Sequence, residues 1–381
     1  MRPVIKLRHL LYLVLFCVPW AAGIELPVVG NSLKLAFAVL LGGYALVALA
    51  GRSRPSVPGI GWWAGALAAW SLVSCFWAIS PEDALTKAVS LAQCALLLIL
   101  LRTLLSSSSY TMNACLALIA GGLVTLALTL NQFGASEHLG DYRYFPEGFD
   151  PNELAVSFST LAMLSFAIAT VHESRISRLF CWLIGIGLLV GTLFTGSRTG
   201  LIVIGVGILT HLAIALRGAK VSVIVGVAVG LFALVAVIAN ILPEETIARL
   251  SSIEGEVQGG TLNQRSSLWQ VGINSFLNHP FFGVGSGSFP RISERDYGIA
   301  FVAHNTFISV LAELGVIGLL LLLAAVTSCF RTFFVERQTL VMLPAVLCLL
   351  VGALGLTWEH RPIFWVVLAL PCLVVARRRF G

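Results

Sequence analysis

Long apolar stretches alternate with short polar connections along almost the whole chain. A helix needs about 20 mostly apolar residues to cross the hydrocarbon core of a bilayer. By this criterion the pattern predicts twelve membrane-spanning helices, at residues 7–23, 33–50, 60–78, 85–104, 112–133, 153–171, 177–195, 198–216, 220–242, 304–328, 338–357 and 362–376. The sequence therefore predicts an all-α polytopic membrane protein, with residues 1–381 forming a single membrane domain.

Composition excludes the other broad classes. Hydrophobic residues make up 58% of the chain and charged residues only 11%, whereas a soluble domain is roughly 45–50% apolar and about 25% charged. A soluble, disordered or collagen-like protein is thereby excluded. The first stretch resembles a signal peptide, with a basic start and small residues at its end, and we treat it as an uncleaved first helix.

The distribution of Lys and Arg predicts the orientation. With the N-terminus in the cytoplasm, the inside connections hold fifteen basic residues, as the positive-inside rule requires. The short outside connections hold five, namely Lys34, Lys87, Arg143, Arg198 and Arg361. Twelve spans return the C-terminus to the cytoplasm as well. The net charge of +6 then reflects membrane insertion, and it does not indicate a nucleic-acid partner.

Two outside connections are long, 134–152 and 243–303, and the second lies between helices 9 and 10. Loops longer than about 15 residues are usually functional when they are ordered. An amphipathic segment that begins at Arg265 predicts a short helix along the outer surface, with Leu262, Trp269, Ile273 and Phe276 on its apolar face.

Polar residues converge on the outer side of this topology, near the ends of separate helices. They are Asp150-Pro151-Asn152, Ser197-Arg198, Arg265, His304-Asn305 and Glu359-His360-Arg361. Charges at membrane depth are costly, and they mark candidate functional sites. Glu313, which lies inside the tenth span, is expected to hydrogen-bond to neighbouring helices and to take no part in chemistry.

Each of these residues also has a structural interpretation. Arg198 could extend to lipid headgroups, Arg265 could be a solvated helix arginine, and His304 could be a hydrogen-bonded core histidine. Two arginines on one face suit a phosphate or pyrophosphate, because the guanidinium group binds phosphate oxygens in a bidentate manner. A partly desolvated histidine at a helix start can act as a neutral general base.

Four sequence segments carry a resemblance to a known family: GFDPNELA (148–155), TGSRTGL (195–201), QRSSLWQVGINSFLNHPFFGVGSGSF (264–289) and HNTFISVLAELGVIGLLLLL (304–323). In this order they resemble the O-antigen ligase and O-antigen polymerase superfamily. The resemblance implies a glycosyltransferase of the bacterial inner membrane that acts at the periplasmic face, without a metal or other cofactor. Its donor would be a glycan on undecaprenyl pyrophosphate.

The resemblance also implies roles for individual residues. Arg198 and Arg265 would hold the pyrophosphate, and His304 would be the general base of an inverting transfer. Asn152 matches the asparagine of the family's PN motif, and Asn305 and Arg361 are the other candidate substrate-binding residues. The sequence gives no indication of a metal site.

The acceptor is less well defined. A ligase would use lipid A–core, and a polymerase of O-antigen or exopolysaccharide repeat units would use a second lipid-linked glycan. We favour the ligase. A protein O-oligosaccharyltransferase and a transporter are further alternatives, and the transporter predicts charged residues and broken helices near the bilayer midplane.

Overall fold

A computed structural model describes residues 2–21, 25–26, 30–105, 107–135, 143–217 and 265–375, with a few isolated positions between 220 and 246. The predicted ninth span, 220–242, and most of the 243–303 loop before Arg265 lie outside the described residues. The described part contains thirteen α-helices: α1 (Arg2–Cys17), α2 (Ser32–Leu49), α3 (Gly59–Val73), α4 (Pro81–Leu104), α5 (Ser108–Gly134), α6 (Pro151–Val171), α7 (Arg175–Phe194), α8 (Arg198–Ala215), α9 (Arg265–Asn278), α10 (Phe289–Tyr297), α11 (Thr306–Val335), α12 (Leu343–Ala353) and α13 (Pro362–Val375).

Short elements complete this architecture. Three 3-10 turns, Val18–Trp20, Ser74–Phe76 and Arg337–Met342, adjoin α1, α3 and α12 respectively. A pair of two-residue strands, β1 (Glu25–Leu26) and β2 (Gly30–Asn31), is antiparallel and pairs Glu25 with Asn31.

The chain is an all-α polytopic membrane protein. In its described residues, eight helices are long and apolar enough to cross a membrane, and shorter apolar helices follow at Arg337–Ala353 and Pro362–Leu373. Each predicted span apart from 220–242 coincides with a helix, although α1, α3 and α12 are shorter than predicted because their ends form 3-10 turns. The short helix predicted to begin at Arg265 is present as α9, and a second short helix, α10, follows it in the same loop.

Helix α6 is the centre of the bundle. Of its apolar window 89% is buried, against 17–50% in the other long helices. It packs against α5, α7, α8 and α12. The residues at its start are therefore fixed relative to several neighbouring helices. We call the end of the bundle at which α6, α8 and α11 begin the site end.

Polar caps define the starts of α6 and α8. Asp150 Oδ1 accepts hydrogen bonds from the backbone N–H groups of Asn152 and Glu153, at 2.8 and 2.9 Å. Ser197 Oγ accepts from the Gly200 N–H at 3.1 Å and caps α8 in the same way. Capping of this kind satisfies donors that the first helical turn would leave unpaired.

A break in α11 is filled by the loop between α9 and α10. Gly315 has φ 65° and ψ −166°, which interrupts the helix. The backbone N–H groups of Val284 and Gly285 donate to the carbonyls of Ala312 and Glu313, at 3.1 and 2.8 Å. Three further contacts complete the pairing at the break: Val316 N–H to the Pro280 carbonyl at 2.9 Å, Ile79 N–H to the Val284 carbonyl at 3.3 Å and the Trp70 indole N–H to the Leu314 carbonyl at 3.0 Å.

Glycine is required where this loop meets the helix. Gly283 has φ 67°, and a Cβ added there would lie 2.3 Å from the Glu313 carbonyl group. Non-helical backbone is tolerated at membrane depth only where other protein groups or water satisfy it. The glycine-containing segment therefore supplies the hydrogen bonds that the broken helix lacks.

Candidate functional site

Asn152, in the first turn of α6, joins three chain segments. Its Oδ1 accepts hydrogen bonds from Ser197 Oγ at 2.8 Å and from Arg143 Nη2 at 3.1 Å. Arg143 Nε also donates to the Thr195 carbonyl at 3.0 Å. The asparagine thus holds the turn before α8 against the start of α6, so that the predicted Asn152 and Ser197-Arg198 segments lie together.

Arg198 is the first residue of α8, at the same place. Gly200 allows the close approach, since an added Cβ would lie 2.8 Å from Ala155 Cβ and 2.9 Å from Thr192 Cγ2. A helix N-terminus carries partial positive charge and free N–H groups, and therefore favours anions. The start of α8 combines that charge with a guanidinium group.

Arg265 reaches this helix start from α9. Its Nη1 donates to Thr199 Oγ1 at 3.2 Å, and Thr199 directly follows Arg198 in the chain. Gly355, in the connection between α12 and α13, closes the same space, since its added Cβ would lie 3.2 Å from Arg265 Nη1. The structure therefore brings Arg265 to the residue next to Arg198.

The face that α9 buries is not the predicted apolar one. Its buried residues are Leu268, Val271, Gly272 and Ser275, whereas Ile273 is exposed. Gly272 explains the difference, because it lets Ile308 of α11 and Phe289 of α10 pack directly on the α9 backbone. The predicted stripe of Trp269, Ile273 and Phe276 lies beside this packed face.

His304 lies just before α11 with a strained backbone. Its φ of 47° is the only positive value at a non-glycine residue in the described ranges. Such a conformation costs of order 1–3 kcal/mol and is concentrated at functional sites. The next residue, Asn305, caps α11 by accepting from the N–H groups of Phe307 and Ile308, at 3.0 and 3.1 Å. The side-chain oxygen of Asn305 therefore has a structural role.

The electrostatic environment of His304 favours a neutral imidazole. Burial lowers the pKa of this partly buried side chain, the Arg265 charge lowers the pKa further, and the Asp150 charge opposes them; the net shift is downward. An unperturbed histidine has a pKa of about 6.5. The His304 ring is thus unprotonated near neutral pH, as a general base must be.

Arg361 lies beside the start of α6, where it pairs with an acidic residue. Its Nη2 donates to Glu153 Oε1 at 2.8 Å. Glu153 follows Asn152, so the predicted Arg361 segment is brought to the site end with the others. Four residues at this site are not among the predicted ones: Glu153, Arg143, Thr199 and Gly355. Glu153 lies in the GFDPNELA motif and Thr199 in the TGSRTGL motif, so these motifs carried a signal for two of the four.

A second polar cluster lies deeper and is almost completely buried. Lys87 Nζ lies 2.7 Å from Glu313 Oε2 and 2.5 Å from Glu359 Oε1. Ser309 Oγ donates to Glu359 Oε1 at 2.9 Å, and the N–H groups of Gly287 and Phe289 donate to Glu313. The structural role expected for Glu313 agrees with these contacts.

Lys87 corrects one part of the sequence analysis. It was counted as a charge of a short outside connection, but it lies in the second turn of α4 with a side chain only 12% exposed. Proximity of Lys87 to a helix end led to this error, because sequence alone does not reveal that two carboxylates from α11 and the α12–α13 connection surround it.

The arrangement at the site end can bind an anion and move a proton. It places the Arg265 guanidinium beside the capped start of α8, where Arg198 is the first residue, and a neutral imidazole before the capped start of α11. Across the described ranges, no group of three or more His, Cys, Asp or Glu side chains is placed to hold a metal ion.

Fold and site together define a polytopic membrane protein with a cationic, histidine-containing site at one end of its helix bundle. Residues 183–323 match the family model described as O-antigen ligase. The match confirms the resemblance to the O-antigen ligase and O-antigen polymerase superfamily over the range that contains Arg198, Arg265 and His304. Among curated proteins, none matches the chain.

Proposed function

We propose that the protein is an O-antigen ligase-type glycosyltransferase. It transfers a glycan from undecaprenyl pyrophosphate to a lipid A–core acceptor at the periplasmic face of the bacterial inner membrane, with both termini in the cytoplasm. The observation that carries the proposal is the juxtaposition of Arg265, the start of α8 and the strained His304 inside the matched range.

In the proposed reaction, an acceptor hydroxyl attacks the anomeric carbon from the face opposite the pyrophosphate. His304 takes the hydroxyl proton as the new C–O bond forms. The bond between the anomeric carbon and the pyrophosphate oxygen breaks, and the leaving lipid pyrophosphate keeps the electron pair. Inversion at the anomeric carbon follows from the single displacement. The proton then passes to solvent or to the departing pyrophosphate.

Arg198 and Arg265 stabilise the charge that develops on the leaving group. Preorganised positive groups in a partly dry site are worth about 2.7–4 kcal/mol each, judged by the loss when one such donor is removed. Arginine suits this role because its guanidinium is planar and always protonated. Asn152 positions the α8 start through Ser197. The donor is already activated, so the proposed reaction uses no cofactor.

Transport is less well supported, although the protein has a broken helix and buried charges. A transporter would use such features to coordinate substrate or ions near the midplane. Here the groups freed at Gly315 hydrogen-bond to residues 280–285 and Trp70. The buried charges pair with one another. These contacts favour a structural role for both features.

Reconstitution in liposomes tests the proposal. Purified protein is given a lipid-linked glycan donor, with lipid A–core in one sample and without it in the other. The ligase predicts glycosylated lipid A–core only in the first sample, with release of undecaprenyl pyrophosphate. Longer lipid-linked glycans in both samples would instead identify a repeat-unit polymerase of the same superfamily. Absence of any transfer would contradict both.

A further inference from the structure

A cavity lies beside the start of α6, where Phe149, Glu153 and Leu154 form part of its wall. Its volume is about 290 Å³, close to the lower limit of small-molecule sites. One part of the wall is apolar and comes from the start of α2, from α4, α6 and α13. The other part is polar and consists of Lys34, Ser90, Gln93, Glu153, Ser157, His360 and Arg361.

The polar wall has unused hydrogen-bonding capacity. In the described ranges, His360 Nδ1 and Arg361 Nε are buried and have no hydrogen-bond partner. Within those ranges the Gln93 side-chain amide also has no hydrogen-bond partner. Burial lowers the pKa of His360 to about 4, so its ring is neutral near pH 7, with one donor and one acceptor nitrogen.

These groups favour a polyhydroxyl ligand over a lipid chain. An acyl or isoprenyl chain would leave the amide, imidazole and guanidinium groups dry and unpaired, at a cost of about 1–3 kcal/mol for each group. The charges that line the cavity are two cations, Lys34 and Arg361, and the Glu153 carboxylate, which pairs with Arg361. A sugar ring can both donate to and accept from these planar groups, and its apolar face can pack on Phe149 or Trp358, which also line the cavity.

The α6 start connects this cavity to the candidate reaction centre. Asn152 contacts Ser197, next to Arg198, and Asp150 acts electrostatically on His304. The flanking residues Phe149 and Glu153 line the cavity. Asn152 and Glu153 are consecutive residues, so the cavity and the Ser197 contact adjoin the same turn of α6.

We propose that this cavity binds a saccharide of the acceptor, with Gln93, His360 and the Glu153–Arg361 pair as its polar contacts. The choice of acceptor over donor rests on the proposed function. Binding of a saccharide is a separate claim, and it can be tested without transfer.

Two variants alter the proposed saccharide cavity. Two control variants make the same substitutions in a second cavity of the protein. Ser90→Trp fills the cavity at a partly exposed position, and Gln93→Leu removes the amide at similar volume. Ser108→Trp and Gln338→Leu make the same changes in a second cavity, which lies between α5, α6 and the 3-10 turn before α12. The probe is core oligosaccharide released from lipopolysaccharide by mild acid, and calorimetry measures its affinity for the full chain in nanodiscs.

We expect saturable binding by the wild type, at least tenfold weaker binding by Ser90→Trp and Gln93→Leu, and unchanged binding by the two control variants. In the transfer assay the same two variants should raise KM for the acceptor and leave KM for the donor unchanged. Wild-type affinity in both cavity variants, or no saturable binding by the wild type, would overturn the proposal. So would a tightly held lipid that Ser90→Trp displaces.

The two proposals can fail separately. If the oligosaccharide binds as expected but no transfer occurs, the saccharide site stands and the proposed function is wrong. If transfer occurs and the cavity variants behave as wild type, only the saccharide site is wrong.

Discussion

The protein has two polar clusters, Lys87–Glu313–Glu359 and Arg198–Arg265–His304, within a few helical turns of each other. They differ in how many of their hydrogen-bonding groups are already paired within the protein. In the deeper cluster, Lys87, Glu313 and Glu359 have side chains 12%, 2% and 1% exposed. Three of their four carboxylate oxygens accept hydrogen bonds from the described residues. At the site end, His304 is only partly buried and adopts a strained backbone conformation.

The comparison shows that a charge at membrane depth does not by itself mark a reaction centre. Lys87 and its partners tie α4, α11 and the loop after α9 together, and their contacts use nearly all their capacity. The Arg198–Arg265–His304 group lies at helix starts where backbone donors and strain are also present. The candidate catalytic cluster differs from the structural one in two respects: its histidine is partly exposed to solvent, and the backbone of that histidine is strained.

The largest effect should follow loss of the Lys87 charge. Lys87→Met leaves two buried carboxylates without their cation, and breaking a buried ion pair in this way costs about 3–5 kcal/mol. We expect a large drop in the thermal unfolding temperature of the detergent-solubilised protein, and partial recovery when Glu313→Gln and Glu359→Gln are added. Lys6→Met, at an exposed position, serves as the control. A stable but inactive Lys87→Met would instead place this cluster in the chemistry.

The next largest effect concerns Arg265. Arg265→Gln removes one preorganised cation, and we expect kcat/KM for transfer to fall about 10²–10³-fold, with little change in unfolding temperature. Arg265→Lys keeps the charge without the bidentate geometry and should recover part of the rate. Arg291→Gln, on the exposed side of α10, should transfer at the wild-type rate. Equal rates for Arg265→Gln and Arg291→Gln would rule out the pyrophosphate role.

A smaller effect tests the glycine contact at the helix break. Alanine at Gly298 should cost about 1–2 kcal/mol, because its φ of 83° is left-handed but nothing lies near an added Cβ. Gly283→Ala should cost more, since its Cβ would also meet the Glu313 backbone at 2.3 Å. Chemical denaturation of the two variants measures the difference. Equal stability would show that the loop does not pack tightly against α11.

The smallest effect is a shift in the pH profile. If transfer needs neutral His304, the rate falls as the pH drops through the pKa of that residue, which burial and then Arg265 hold below about 6.5. Arg265→Gln should move this acid limb to higher pH, since it removes a charge that lowers the pKa. Asp150→Asn should move the limb to lower pH. The measurement is log kcat/KM against pH for the wild type, Arg265→Gln and Asp150→Asn. Shifts of the opposite sign would contradict the assignment of His304 as the general base.

Much of this fold follows from sequence because its determinants are local. Apolar length identifies the helices, and Asp150-Pro151 and Ser197 identify the starts of α6 and α8 through ordinary capping. Two motifs separated by about 45 residues also placed Asn152 and Arg198 near one another, once the topology put both on one side. These features depend on neighbours in sequence or on the direction of each span.

Other features depend on contacts between distant segments, and sequence reasoning missed them. Lys87 resembled an ordinary connection charge until Glu313 and Glu359 were placed around it. Gly315 lies in a long apolar run, and its break is stable only because the Gly283–Gly285 loop supplies donors. In each case the partner that defines the role lies in another element or is a backbone group.

His304 provides the most direct test of the central claim. Wild type, His304→Ala and His304→Asn are compared in the same liposomes for release of undecaprenyl pyrophosphate and glycosylation of lipid A–core. Asparagine tolerates left-handed backbone but cannot act as the base. We expect both variants to lose about 10²–10⁴-fold in rate and to unfold at the wild-type temperature, with His279→Ala unaffected. Transfer by His304→Asn at a rate close to that of the wild type would contradict the account.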